Sequence, residues 1–326
     1  MFHGGSEWLN GEPPETIKDF SVNLNPLGTP SFIEDLLFDA IKKKVYRYYP
    51  DDYKYLKEKI AEIYNTNPEY IGVYNGSIEA LKLLPKIFNV PEPNFSEYPR
   101  KSSYLCEEFE NSFHCKLKGE NVITGNPINP TGFCFPLEEI ENFLQNNKFL
   151  VLDEAFVDIS KCESAIKLIE DYDNLLIIST FTKSLAIPGL RIGFSIGKSS
   201  REIESKTIPW RINSISYYVF SHIDAKEVRR FLTISKSEVS RLINDIESIK
   251  YNFFKIYRTT APFILLEFPV EASLVNNELK RYNYKIREPN GFIGLRKTHA
   301  RVSLNYGTKE LFGILEEVLI KLNNRK

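Results

Sequence analysis

The sequence predicts an α/β protein with a large domain on a mostly parallel sheet, a smaller α+β C-terminal domain and an irregular N-terminal arm. Three observations carry this. From about residue 70 to 197, short apolar runs alternate with amphipathic helical patterns, as strands joined by crossover helices do. Two of those runs end in chemistry-bearing side chains, at Asp153 and Glu154 and from Thr180 to Lys183, where open α/β sheets bind ligands. Beyond residue 206 the alternation breaks at Ile208-Pro209-Trp210, and a long amphipathic helix with a few later strands follows. The expected organisation is an arm and helix over 1–45 that pack with the small domain, a large domain over 46–206 and a small domain over 207–326.

At 326 residues, 42% hydrophobic and 26% charged, the chain has the composition of an ordinary soluble globular protein and is long enough for two domains. Its formal charge of −1 gives no electrostatic reason to expect nucleic acid or an anionic membrane. No apolar run approaches the ~20 residues that span a bilayer. The N-terminus lacks the basic start and apolar core of a signal peptide. Cys106, Cys115, Cys134 and Cys162 show no CxxC spacing. They read as free buried thiols in a reducing compartment, not as a metal site or disulfide framework. The expectation is a cytoplasmic protein without a metal.

His3-Gly4-Gly5 opens the arm, and its glycines allow close backbone approach to a ligand. Ser31 is expected to cap a helix over 32–43, with Ile33, Leu36, Leu37, Ala40 and Ile41 on one face. Tyr46, Tyr48 and Tyr49 precede Pro50, which suits a partly buried loop or an interface. A second helix is expected over 55–64. A strand over 71–74 turns through Asn75-Gly76-Ser77-Ile78 into a helix, and such a turn offers N–H groups to an anion. A strand near 87–90 precedes Phe95 and Tyr98, an aromatic pair for a flat ring or for the core.

The run 121–125 leads into Asn126-Pro127-Ile128-Asn129-Pro130-Thr131-Gly132. Two Asn-Pro pairs set an extended-then-turn backbone and aim an amide side chain. Pro136 then starts a helix over 137–146. At the end of the apolar run 149–156, Asp153 is poorly solvated and needs a cationic or N–H partner.

The stretch 175–197 organises the rest. A buried strand over 175–179 stops at Thr180-Phe181-Thr182-Lys183, and Arg191 introduces a second apolar run, 192–196. A desolvated lysine at a strand mouth is neutral and nucleophilic enough to form a Schiff base with an aldehyde. Two hydroxyls and a guanidinium beside it suit a dianionic phosphate. Amine plus phosphate cradle is what pyridoxal 5'-phosphate (PLP) requires, and Asp153 suits its pyridinium nitrogen. A helix over 235–248, strands near 263–268, 285–287 and 301–304, and a helix over 308–322 capped by Thr308 complete the chain.

Taken together, NPTG at 129–132, LDEAF at 152–156 and TKSLAIPGLRIGF at 182–194 resemble the fold-type-I PLP enzymes of the aspartate aminotransferase superfamily. The resemblance covers nearly the whole chain. It is strongest to the histidinol-phosphate aminotransferases and the L-threonine O-3-phosphate decarboxylases of cobalamin synthesis. It implies that Lys183 is the Schiff-base lysine, that Asp153 faces the pyridine nitrogen, that Asn129 bonds the ring hydroxyl and that Phe95 stacks on the ring. It implies a phosphate site of Gly76, Ser77, Ile78, Thr180, Thr182 and Arg191, with Tyr49 reaching across from the second subunit of a homodimer. Arg301 matches the arginine that clamps a substrate carboxylate, and His3, Asn25 and Arg287 are the further substrate-binding candidates for a small phosphorylated amino-acid-like substrate.

Three features resemble the decarboxylases more: HGG at 3–5 with DFSVNLNPLG at 19–28, Trp210-Arg211-Ile212-Asn213, and Phe156 where aminotransferases usually carry a tyrosine. The expected reaction is decarboxylation of L-threonine O-3-phosphate to (R)-1-aminopropan-2-ol O-2-phosphate. The alternative is a histidinol-phosphate aminotransferase using 2-oxoglutarate. The chain departs from the family in a short helix after Ile78 and a missing strand–helix segment between Cys115 and Asn121, which leaves the strand count open.

Overall fold

In the computed structural model, which describes residues 4–6, 8 and 10–324, the six apolar runs and one polar, largely exposed segment that the sequence pattern did not predict, Arg100–Leu105, form one seven-stranded sheet. Its strands are β1 (Ile71–Asn75), β2 (Phe88–Glu92), β3 (Arg100–Leu105), β4 (Asn121–Gly125), β5 (Phe149–Asp153), β6 (Leu175–Thr180) and β7 (Ile192–Ile196). They lie in the order β1-β7-β6-β5-β4-β2-β3. β7 runs antiparallel to both its neighbours, and the remaining pairs are parallel.

Side chains alternate across a strand, so a sheet covered on both faces reads as an unbroken apolar run. Leu150, Leu152, Leu175 and Ile177 enter the core on one face, and Val151, Leu176 and Ile178 enter the core on the other. The register puts Asp153 level with Gly125 and Ile178, and Gly193 level with Thr180 and Tyr74. Asp153, Thr180 and the turn after Asn75 therefore share one rim of the sheet.

The small domain carries an antiparallel sheet of β8 (Lys255–Ile256), β9 (Phe263–Glu267) and β10 (His299–Ser303). The arm joins it, because Lys18–Asp19 pairs in parallel with Tyr284–Lys285 and Phe20 stacks on Tyr284 at 5.8 Å. No described helix is long and apolar enough to cross a membrane.

Several expectations need correction. The first helix runs Ser31–Lys42 with Pro30 at its N-cap and no side-chain cap, so Ser31 is its first residue. Its Ile33 lies in the large-domain core beside Val219 and Phe220 of the Ser214–His222 helix, not in the small domain. The long helix begins at Ala225, because Asp224 Oδ1 accepts from the N–H groups of Lys226 and Glu227. Val228 and Leu232 of that helix pack in the large-domain core and Val239 to Ile246 in the small one. The packing boundary thus falls inside the helix rather than at 207. Thr308 is the first residue of the last helix, with Gly307 at the cap.

Between Cys115 and Asn121 the chain forms neither strand nor helix, in line with the expected trimming, and residues 93–99 connect β2 without a helix to an exposed edge strand, β3. A small hairpin, Glu107–Phe109 with Ser112–His114, follows it.

The cysteines, expected to be free, are paired as Cys106–Cys115 and Cys134–Cys162, with Cα atoms 4.6 and 5.7 Å apart. The first pair closes the base of the hairpin, and the second ties the turn after Gly132 to the segment beyond β5. Topology brings them together where spacing shows no motif, and the pairing withdraws the cysteine-based argument for a reducing compartment.

Candidate active site

A cavity of about 410 Å³ opens at the shared rim, between the large sheet, the small domain and the arm. Lys183 lies in the single turn Phe181–Ser184, which starts because Thr180 Oγ1 accepts from the Thr182 N–H at 3.1 Å. The turn brings the lysine back over the end of β6 and into the cavity. Burial pushes its amine down to about 8, and the charges of Arg301 and Arg191 add to the effect while Asp153 opposes it. The amine is therefore far closer to its neutral, nucleophilic form at pH 7 than a surface lysine.

Asp153 ends β5 across the cavity. Burial raises its carboxyl to about 6, against the Ala155 N–H, the Tyr98 hydroxyl and the charge of Lys183, which hold it down. A carboxylate so placed gains from any cationic N–H group that enters the cavity.

The anion-binding elements converge from three strands. Ser77 and Ile78 line the cavity just beyond Gly76. Gly76 has φ +79°, and a Cβ there would lie 2.4 Å from Arg191 Nη2, so only glycine lets the guanidinium lie against this turn. Thr180 and Thr182 share a hydrogen bond of 2.8 Å between their hydroxyls, with Thr180 also donating to the Ile192 carbonyl. Phe95 lies on the wall, edge-on to Tyr98 at 5.7 Å.

At the other end, Arg287 and Arg301 are both buried to 7% exposure. They are joined by backbone hydrogen bonds in both directions, of 3.0 and 2.9 Å. Arg301 donates through Nη1 to Asn129 Oδ1 and through Nη2 to the Ser21 carbonyl, each at 2.6 Å. With Oδ1 engaged, the Asn129 amino group is the half that can serve a ring oxygen. Burial, then the neighbouring Arg287, lowers the Arg301 pKa to about 9, so an anion in the cavity stabilises its charge.

The structure thus brings together Ser77, Ile78, Phe95, Asn129, Asp153, Thr180, Thr182, Lys183, Arg191, Arg287 and Arg301. Asn25 does not join them. Its Nδ2 donates to the Ser184 carbonyl and to Ser235 Oγ, at 2.7 and 2.8 Å, so it fastens the arm to the lysine turn. Tyr49 is 77% exposed and packs on Trp210 at 4.5 Å, away from its own cavity. His3 lies outside the described residues.

Sequence reasoning missed Asn23 and Phe292, and it read Tyr98 only as one of an aromatic pair. Asn23, two positions before Asn25, lines the cavity, and in the amide orientation that gives the Arg301 donors an acceptor its oxygen lies 3.2 Å from both Nε and Nη1 of Arg301. The alternation of polar Ser21, Asn23 and Asn25 with apolar Val22 and Leu24 is the signal that the sequence offers. Tyr98 donates to Asp153 Oδ2 at 3.0 Å, and Phe292 roofs the two arginines with its ring 5.4 and 6.0 Å from their guanidinium carbons.

This donor set fits PLP. A lysine of lowered pKa faces a carboxylate across the cavity, and an arginine lies against a turn that a Cβ would block. When bound, the cofactor withdraws electrons from the substrate Cα. Lys183, Asp153, Asn129 and the Gly76–Arg191 turn are the groups that could hold it.

The comparisons agree with this chemistry. A relative from Caldanaerobacter subterraneus subsp. tengcongensis, whose provisional name is threonine-phosphate decarboxylase, is 29% identical over 86% of this chain and 84% of its own. A histidinol-phosphate aminotransferase from Brachyspira hyodysenteriae is 30% identical over 78% of this chain and 79% of its own. The crystal structure of the histidinol-phosphate aminotransferase from Clostridium acetobutylicum superposes with a TM-score of 0.78, at 25% identity, over 94% of this chain and 99% of that one. The model of the class I and II aminotransferases matches residues 16–225. The chain belongs to that family of PLP enzymes.

Proposed function

We propose that the protein decarboxylates L-threonine O-3-phosphate to (R)-1-aminopropan-2-ol O-2-phosphate, a step of cobalamin synthesis, with PLP held by the residues named above. The substrate class rests on the two buried guanidiniums of Arg287 and Arg301, which suit a small amino acid with two anionic groups. The observation that carries the reaction is Phe156. Its ring centroid lies 6.0 Å from Lys183 Nζ, and its edge packs on Phe263 at 5.1 Å. An apolar ring beside the reacting amine offers no hydroxyl donor, and this supports the decarboxylase reading over the aminotransferase one.

In the proposed reaction the bond from Cα to the carboxylate breaks, its electron pair stays on Cα, carbon dioxide leaves and a proton is added at Cα. Lys183 Nζ is the group that delivers that proton. Arg301, aided by Asn23, and Arg287 divide the carboxylate and phosphate between them and so choose which Cα bond is presented. Tyr49, exposed beside Trp210, is read as completing the phosphate site of the partner in a homodimer.

A second reading, a histidinol-phosphate aminotransferase, is favoured by the Brachyspira hyodysenteriae relative. The two are separated by supplying purified, PLP-loaded protein with L-threonine O-3-phosphate, or with histidinol phosphate and 2-oxoglutarate. Carbon dioxide from the first supports the decarboxylase. Glutamate from the second without carbon dioxide from the first overturns it.

A further inference from the structure

The hairpin that follows the edge strand β3 does not stay with the large domain. Glu108, on its first strand, reaches the small domain and takes Arg296 in a two-pronged ion pair: Nη1 to Oε2 at 2.7 Å and Nη2 to Oε1 at 2.9 Å. Glu267 of β9 accepts from Nε of the same guanidinium at 2.8 Å. The Arg296 backbone N–H donates to His299 Nδ1 at 2.9 Å, so His299 Nε2 carries its proton toward the Tyr257 hydroxyl at 3.0 Å. Tyr257 in turn donates to Glu108 Oε1 at 2.5 Å. Apolar contact completes the joint, with Phe113 and Tyr257 rings 5.4 Å apart and Leu295 packed against them. The Arg258 N–H donates to the Asn111 carbonyl at the hairpin tip, at 2.8 Å.

Glu108, Glu267 and His299 bring ligand atoms within 4.8 Å of one another, the one such grouping among the described residues. Their cation is already present: the guanidinium of Arg296 lies between the two carboxylates, so no metal is needed there. Arg296 also ends a segment that begins at Arg287. Within it, Arg287 Nη2 donates to the Asn290 carbonyl at 2.7 Å, and Phe292 roofs the guanidiniums of Arg287 and Arg301. The fastening therefore holds the far end of a loop whose near end and middle line the cavity.

We propose that Glu108 is a positioning residue for substrate binding: through Arg296 it fixes the loop 287–296, and with it Arg287 and Phe292, against the anionic end of the substrate. It touches neither substrate nor cofactor. The carboxylate comes from the large domain and the arginine from the small one, so the pair also sets the distance between the two walls of the cavity. The kinetic part of this inference rests on the function proposed above, whereas the mechanical part rests on the geometry alone.

The test compares PLP-loaded native protein with Glu108→Ala, Glu108→Gln and, as a control on the same hairpin, Glu107→Ala. Hydrogen exchange is read over 288–296 and over β5. KM and kcat are measured for L-threonine O-3-phosphate and for histidinol phosphate. Glu108→Ala is expected to speed exchange in 288–296 while leaving β5 unchanged, and to raise KM roughly tenfold with kcat held within about twofold. Glu107→Ala is expected to match the native protein. Glu108→Gln keeps an acceptor for Tyr257 while removing the charge, so it carries the same test if the alanine variant does not fold. Unchanged exchange over 288–296 overturns the fastening, and faster exchange with an unchanged KM overturns the positioning role. Loss of cofactor absorbance together with faster exchange in β5 overturns both in favour of a general structural role. If the native protein turns over neither substrate, the proposed function falls, and exchange over 288–296 still decides whether Glu108 fastens the loop.

Discussion

The Tyr98 hydroxyl donates to Asp153 Oδ2 at 3.0 Å, from a loop that has no sequence proximity to the strand it serves. Burial holds the Asp153 carboxyl up at about 6, and Tyr98 is one of the groups that keep it from rising further. Removing that hydroxyl in Tyr98→Phe raises the Asp153 pKa and leaves more of it protonated at neutral pH, which weakens its hold on a cationic ring nitrogen. Loss of a hydrogen bond to a charged group predicts turnover lower by about tenfold. The check is an upward shift of the Asp153 carboxyl titration, followed by NMR on cofactor-free protein carrying labelled aspartate. An unmoved titration would reduce Tyr98 to packing.

Asp153 also makes cofactor-free protein less stable as pH rises. Its folded pKa of about 6 lies above its ordinary value of 3.8, so the folded state binds more protons between those values. Its contribution to stability is therefore largest in acid, is lost as pH rises from 3.8 to about 6, and is constant above. Asp153→Asn should gain Tm relative to native protein across that window and keep the gain at neutral pH. A Tm difference independent of pH would refute the assignment.

Lys183 should capture PLP faster as pH rises through about 8, where burial places its deprotonation. Stopped-flow absorbance on cofactor-free protein measures this directly. Lys183→Ala should show no such phase, retain no cofactor after borohydride reduction, and lose activity by about 10³-fold.

Gly76→Ala places a Cβ 2.4 Å from Arg191 Nη2 at a backbone φ of +79°. The strain predicts a loss of about 1–3 kcal/mol, read both by urea unfolding and as weaker PLP binding in an equilibrium titration. Unchanged cofactor affinity would place the phosphate elsewhere.

Arg301→Lys keeps a charge but cannot reach both Asn129 and the Ser21 carbonyl. KM for the phosphorylated substrate should rise by roughly a hundredfold, while Lys183-dependent capture of PLP persists. A KM within a few fold of native would remove Arg301 from the substrate site.

The contrast between Asn23 and Asn25 shows where sequence reading stops. Both stand in one extended arm, both are buried, and nothing local tells them apart. The resemblance points to Asn25 for the substrate. The fold turns it onto Ser184 and Ser235 and places Asn23 against Arg301. The cysteines fail for the same reason. Cys134 and Cys162 are 28 residues apart, and only the packing of the turn after Gly132 on the segment beyond β5 makes them neighbours.

The groups that sit at the ends of local patterns are legible without the fold. Lys183, Asp153, Asn129 and Arg191 each follow an apolar run or a proline-fixed turn, and such runs become strands wherever both sheet faces are covered. The order of those runs also settles the α/β class, because short strands alternating with helices can bury their apolar faces only in a layered sheet. Which distant segments meet at that rim emerges only from the folded chain. The arm against Arg301, Tyr98 beneath Asp153 and the Glu108 hairpin on Arg296 are contacts between elements far apart in the chain. Their partners are selected by the closing of the two domains on one cavity, and no periodicity in the sequence carries that information.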